Sequence, residues 1–346
     1  MLSLGKVNEL SEKDLIEDTR PISELKALTF SNYKRSEVKK ELMNALLGGR
    51  VENSCYWCAE LICSGSLVDV WNIILSMTSE YVNVTNPKLP TYVESRYKLF
   101  RTYMGQLDAG GVGGELQARN EPKIRELFTE LMCVLSVSKR RPKMPLVKLN
   151  LDTAFDMRSV SERLQAPNDK YAGKVFKPID PRELFIPTNE LAYHISKESR
   201  NCTSACYWIE WILQFEYNST KADQLCKCSK RSMPPEIADK YGNDVGWLIW
   251  DVLKQEVKRR DAALLTKIVE SLYFLYCFRY KTCVARRRRY MFSHVCYLLT
   301  EPIDVEQRII ENQKSLRLIL SKCNTVYRQI KRHEVKDRMD YLKTII

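Results

Sequence analysis

The sequence predicts an all-α protein: two degenerate repeats of a helical unit, joined by a proline-rich connector and followed by a long C-terminal helix. Three observations predict it. Apolar residues recur at helical spacing along most of the 346 residues. The phrase Cys-Tyr-Trp occurs twice, in SCYWCAELI from Ser54 and in ACYWIEWIL from Ala205, each time followed by an acid and two aliphatics. The segment from Asp304 carries Ile309, Leu316, Leu320, Cys323, Tyr327 and Ile330 in steps of seven, four and three.

The elements follow in chain order. SEVKKELMNALLGG places Val38, Leu42, Ala45 and Leu46 on one helix face, with Ser36 as cap and Gly48 as stop. Asn53 or Ser54 caps the next helix, whose face is Trp57, Leu61 and Ile62. Ser66 and Asp69 read as an acid-ended capping box before a helix that turns Val70, Trp71, Ile74 and Met77 inward. Pro87 and Pro90 interrupt the pattern, TYVESRYKLFRTYM resumes it, and DAGGVGGELQARNEP is a loop. IRELFTELMCVLSV is one more helix, ended by SKRRPKMP. Prolines at 145, 167, 178, 181 and 187 then mark a connector with room for short strands.

The second half replays these phrases: TNELAYHISK capped from Thr188, the CYW helix, then Asp244, Val245 and Trp247 echoing Asp69, Val70 and Trp71. The apolar helix IVESLYFLYCF ends in ARRRRY as IRELFTELMCVL ends in SKRR. This is the pattern of a duplicated helical unit. It divides the chain into an N-terminal repeat over 1–144, a connector over 145–187, a second repeat over 188–300 and a C-terminal helix over 301–346. If the two CYW helices are equivalent, Cys58 stands where the second copy has Ile209. A redox or zinc pair does not accept isoleucine, whereas a core position does, so the phrase reads as packing, with Trp57 and Trp208 both buried. The C-terminal stripe continues after a slip through Val335, Met339, Leu342 and Ile346. That implies one helix of about 40 residues, roughly 60 Å long at ~1.5 Å per residue.

Hydrophobic residues make up 45% and charged residues 28%, an ordinary globular balance, but the formal net charge is +12. Such a surplus favours nucleic acid, acidic proteins or anionic headgroups. The N-terminus has neither the basic nor the apolar region of a secretory signal. No stretch of 18 apolar residues predicts a membrane span. The sequons at Asn83, Asn201 and Asn218 are therefore expected to be unused. The 12 cysteines are diluted along the chain and sit in apolar phrases, which suits reduced, buried thiols.

The search for chemistry yields little. Cys202, Cys206, Cys226 and Cys228 form the one four-thiol set with zinc logic, at atypical spacings; scattered thiols are the preferred reading and no metal is expected. His194, His294 and His333 lie far apart and outside any nucleophile or metal motif. GGVGG from Gly110 lacks the Gly-Lys-Ser/Thr of a phosphate loop. No constellation predicts an enzyme. The sharpest charge feature is Arg286, Arg287, Arg288 and Arg289. It reads either as a solvated helix end or as a clamp for phosphate or carboxylate.

One part of the chain is familiar. FSNYKRSEVKKELMNALLGGRVENSCYWCAELICSGSLVDVWNIIL, from Phe30 to Leu75, and NPKLPTYVESRYKLF from Asn86 to Phe100 resemble a family of conserved proteins of large nucleocytoplasmic DNA viruses, of the chlorovirus and mimivirus kind. SNYKRSEVKKEL, CYWCAELICSG and NPKLP are the distinctive phrases. The resemblance implies a viral protein and brings no catalytic residues and no cofactor with it. Joined to the charge and helical pattern, it leads to an expected non-enzymatic role as a minor capsid protein. That places it in the virion, on the inner face of the capsid, after synthesis in the host cytoplasm. The expected partners are the major capsid protein, other minor capsid proteins and the anionic inner membrane. Contact is expected through the stripe Ile309, Leu316, Leu320 and Ile330 and through Arg286–Arg289. The alternative is a basic nucleic-acid-binding factor in genome packaging or transcription, although no zinc finger, helix-turn-helix or RNA motif is present.

Overall fold

A computed structural model describes residues 10–108, 114–142, 147–222, 226–310 and 312–335. The fold is all-α. The helices are α1 (Arg35–Leu47), α2 (Val51–Cys63), α3 (Leu67–Ser76), α4 (Leu89–Asp108), α5 (Gly114–Gln117), α6 (Pro122–Val137), α7 (Met157–Ser161) and α8 (Phe185–His194). They continue as α9 (Cys202–Lys221), α10 (Val245–Arg260), α11 (Ala263–Tyr276), α12 (Thr282–Arg287), α13 (Tyr290–Thr300), α14 (Gln313–Ser321) and α15 (Cys323–Lys331). Among the described residues no strand forms, and Leu28 with Lys34 makes an isolated antiparallel bridge.

The chain divides into two compact units. The first comprises Met1–Thr78, Tyr92–Lys139 and Arg308–Ile346, and the second Ser79–Thr91 and Arg140–Gln307. The C-terminal segment is therefore part of the first unit.

In the first unit α1 and α2 form a hairpin, turned at Gly48 and at Gly49, whose φ of 69° needs glycine. Val38, Leu42, Ala45 and Leu46 are buried as their spacing predicts, and so are Leu61 and Ile62 on α2. α6 packs across the hairpin, and α3 closes it with Val70, Trp71 and Ile74. The Trp71 ring lies 4.9 Å from Tyr97, 5.4 Å from Phe100 and 5.5 Å from Phe128. In the second unit α8 and α9 form a hairpin. α10 packs on both, and α13 packs on α9, α10 and α11. Trp250 is enclosed by Tyr273, Tyr276 and Phe292 at 5.3, 5.4 and 5.4 Å.

Several local expectations change. Helix starts fall earlier than the capping residues suggest: Lys34 and Arg50 precede α1 and α2, so Ser36, Asn53 and Ser54 lie in first turns. Thr188 sits inside α8, with its hydroxyl bonded to the Leu184 carbonyl. Pro90 opens α4 instead of breaking it, because a first-turn N–H has no intrahelical partner to lose. The end of the predicted loop holds α5 and a 3-10 turn at Ala118–Asn120, while Gly110–Gly113 lie outside the described residues. Trp57 is only half-buried, edge-on to Tyr33 and Tyr56, whereas Trp208 is 1% exposed; equal burial of the pair is not found.

The connector forms no strands among its described residues. Side chains satisfy its backbone where a sheet would otherwise have done so. Asn189 accepts the Tyr171 and Ala172 N–H groups, and Glu190 accepts those of Gln165 and Ala166. Asp180, paired with the buried Arg231 at 2.7 Å, accepts from Lys177 and Ser229.

The long C-terminal helix is also corrected. Residues 304–310 are not helical, α14 starts at an Asn312 cap, and the axis breaks at Lys322 before α15. Residues 336–346, with the expected Met339, Leu342 and Ile346, lie outside the described residues. The break allows two short helices to dock where one straight rod would leave the body. α14 packs on α6, and α15 packs on α2, α6 and the turn at Glu12–Asp14.

Candidate functional site

The apolar stripe lies largely against the first unit itself. Ile330 is fully buried with Cys323 and Tyr327. Ile309, Leu316 and Leu320 are half-buried. Ile309, Leu316 and Ile319 border a groove of about 300 Å³ with Val51, Cys133, Val134 and Val137. Its rim keeps one large apolar side chain in solvent, Val137 at 55% exposure.

α15 is anchored by polar groups that periodicity does not reveal. The fully buried Arg125 on α6 donates to the carbonyls of Arg119 (2.6 Å) and Asp14 (2.9 Å) and to Asn324 Oδ1 (3.3 Å). Its guanidinium carbon lies 4.1 Å from the Tyr327 ring centroid. Arg328 Nε meets Asp14 Oδ1 at 2.5 Å. This bond, with those from Ser11, holds the Asp14 carboxyl down at about 2 despite its burial. Lys331 donates to the Leu15 and Glu12 carbonyls. The outward side of the two helices carries Lys314, Arg317, Lys322 and Arg332, all exposed, around Leu318 at 59% exposure. The result is an amphipathic pair with its apolar side against the body and a cationic back in solvent.

The arginine run is placed differently from a clamp. It spans the end of α12 and the turn into α13, and three of its members turn inward. Arg286 Nη2 pairs with Glu216 at 2.9 Å. Arg288, buried, donates to the carbonyls of Tyr276 and Phe278 and lies over the Phe278 ring. Arg289 Nε lies 3.0 Å from Glu210, whose carboxyl burial pushes up to about 7 against the pull of that guanidinium. Arg287 is the exposed one.

Two further arrangements escaped sequence reasoning. His194 Nδ1 lies 3.1 Å from Ser199 Oγ, and its Nε2 lies 3.3 Å from Glu190 Oε2, an order resembling a nucleophile, base and orienting acid. The Nε2 contact lacks hydrogen-bond alignment. None of the three residues lines the polar cleft of about 560 Å³ bordered by Lys148, Glu162, Arg163, Thr203, Ser204 and Tyr207. The set ties the end of α8 to the connector and to the loop before α9. The second arrangement is of thiols. Cys133 of α6 neighbours the Cys55 thiol of the first CYW phrase and, with burial, pushes its pKa up, as Cys206 of the second phrase does for the buried Cys296 of α13; all four are free thiols. α6 packs on α2 and α13 packs on α9, whereas the sequence phrases set α6 beside α11. The signal was a cysteine in each helix, hidden among 12.

Among the described residues no group of three or more His, Cys, Asp or Glu side chains is placed to hold a metal ion, and no helix is long and apolar enough to cross a membrane. Comparison with protein-family models, curated proteins and solved structures finds no match for this chain.

Proposed function

We infer that this chain is a non-enzymatic structural protein of a large DNA virus, a minor capsid protein that holds acidic faces of neighbouring capsid proteins beneath the major shell. The observation that carries the reading is the cationic back of α14 and α15, with Lys314, Arg317, Lys322 and Arg332 exposed on helices whose apolar side is held by the body. A surface of that kind recruits anionic partners and releases them as salt rises, because exposed charges are screened beyond about 8 Å at physiological ionic strength. The resemblance of Phe30–Leu75 and of Asn86–Phe100 supports the viral setting, and the recurrence of Cys-Tyr-Trp on α2 and α9 supports an origin by duplication.

The test is a charge-reversed chain, Lys314→Glu, Arg317→Glu and Lys322→Glu together, followed into particles by quantitative mass spectrometry. The reading expects the natural chain in washed virions, and a folded variant depleted from them. Anionic vesicles are the second probe: binding there would move the partner from protein to the inner membrane. Tight duplex-DNA binding, falling steeply with salt, would instead support the packaging or transcription factor.

A further inference from the structure

We propose that the polar cleft between the connector and the start of α9 binds a sugar phosphate monoester, with Lys148 and Arg163 holding the phosphate and the Tyr207 hydroxyl donating to it. The cleft lies wholly within the second unit. Its walls are fixed by the fold. Trp211 on α9 donates its indole N–H to the Ala154 carbonyl at 2.8 Å, which ties down the stretch that carries Lys148. The N–H groups of Gln165 and Ala166 donate to Glu190 on α8 at 3.0 Å, which ties down the stretch that carries Arg163. Tyr207 and Trp208, 7% and 1% exposed, line the cleft from α9. Both walls are therefore in place before any ligand arrives.

The charges in the cleft are uncommitted. Among the described residues neither Lys148 nor Arg163 forms an ion pair, although most arginines of this unit do. The Arg163 guanidinium instead lies 4.3 Å from the Tyr207 ring centroid, a stacking that leaves its N–H groups free to donate. The carboxylate on the border, Glu162, pairs with Arg158 at 3.1 Å. The Tyr207 hydroxyl has no hydrogen-bond partner among the described residues, and burial, against the pull of Arg163, raises its pKa and keeps it a donor. α9 begins here. Asn201 caps the Ser204 N–H at 3.0 Å, while the Cys202 and Thr203 N–H groups find no acceptor among the described residues. A dianionic phosphate meets two cations, a phenol and a helix N-terminus at once, and a single carboxylate would leave one cation unmatched. The volume of about 560 Å³ suits a small molecule of roughly drug size and leaves a bare phosphate mostly unenclosed. Asn150, Thr153 and Gln165 border the remainder with amide and hydroxyl groups, the chemistry that pairs with sugar hydroxyls.

The experiment is calorimetric titration of the folded full-length chain with ribose 5-phosphate, AMP, inorganic phosphate and ribose. At least one ester should bind with a Kd below about 1 mM. Ribose should not bind, and inorganic phosphate should bind at least about tenfold more weakly than that ester, for want of the sugar contacts. Tighter AMP assigns the cleft to nucleotides, and tighter ribose 5-phosphate assigns it to free sugar phosphates. Lys148→Ala and Arg163→Ala, both at exposed positions, should each weaken the ester about tenfold. Tyr207→Phe keeps the buried ring and should weaken it about fivefold. Unchanged thermal melting verifies that each variant is folded. Lys314→Glu/Arg317→Glu/Lys322→Glu should bind the ester as the natural chain does, which separates this cleft from the cationic back of α14 and α15. Failure of both esters to bind below about 1 mM would overturn the proposal. So would equal affinity for inorganic phosphate, unchanged affinity in Lys148→Ala and Arg163→Ala, or loss of binding in the α14 and α15 variant.

Discussion

Arg125 is a guanidinium with no exposure, held by carbonyls and amides from the N-terminal turn, the Ala118–Asn120 turn and α15. Replacing it with methionine keeps the packing volume but leaves the Arg119 and Asp14 carbonyls without those donors. The expected loss is roughly 3 kcal/mol, and urea unfolding of Arg125→Met measures it. Lysine should not rescue, because one ammonium cannot span those acceptors. Asp14 gives a pH signature at the same junction. Its carboxyl is at about 2 folded against 3.8 as a free side chain. The contribution is fully present above 3.8 and is lost as pH falls toward 2. Thermal melts of Asp14→Asn should therefore show a shallower decline over that interval than the natural chain.

His294 presents the opposite residue chemistry. It is fully buried on α13, and among the described residues neither ring nitrogen has a hydrogen-bond partner. Burial lowers its pKa from 6.5 to about 3, so the fold holds it neutral. Below pH 6.5 the unfolded chain binds a proton that the folded chain does not, and stability falls as pH drops toward 3. The slope is of order 1 kcal/mol per pH unit over that window. His294→Leu should flatten the dependence of melting temperature between pH 7 and 4.5; an identical slope in the variant would contradict the assignment.

At the scale of elements, the hairpins and their cores were legible because apolar spacing maps directly onto a buried face. Val38, Leu42, Ala45 and Leu46 on α1 are the clearest case. The C-terminal break was not legible. Cys323, Tyr327 and Ile330 keep helical spacing with Leu316 and Leu320 across Lys322, since both helices dock on the same body and each must present an apolar side to it. The arginine run misled for a related reason. A linear sequence displays four adjacent charges and does not display Glu216, whose partner Arg286 lies 70 residues away. Tyr327 tests the docking of α15 directly. Tyr327→Ala removes a buried ring packed on Arg125, and should cost about 3–5 kcal/mol and raise protease cleavage near residues 323–331. Leu318→Ala, on the exposed side, should change neither.

At the scale of the whole molecule, the chain forms two compact helical units, and the C-terminal helices of the first unit carry a basic face outward. The central claim is that this face places the chain inside a particle. The most direct measurement is the amount of natural and Lys314→Glu/Arg317→Glu/Lys322→Glu chain in salt-washed virions, relative to infected-cell lysate and normalised to the major capsid protein. The account predicts a fixed, structural ratio for the natural chain, and severe depletion of a variant that melts at the natural temperature. Equal incorporation of both chains, or absence of the natural chain from washed particles, would contradict it.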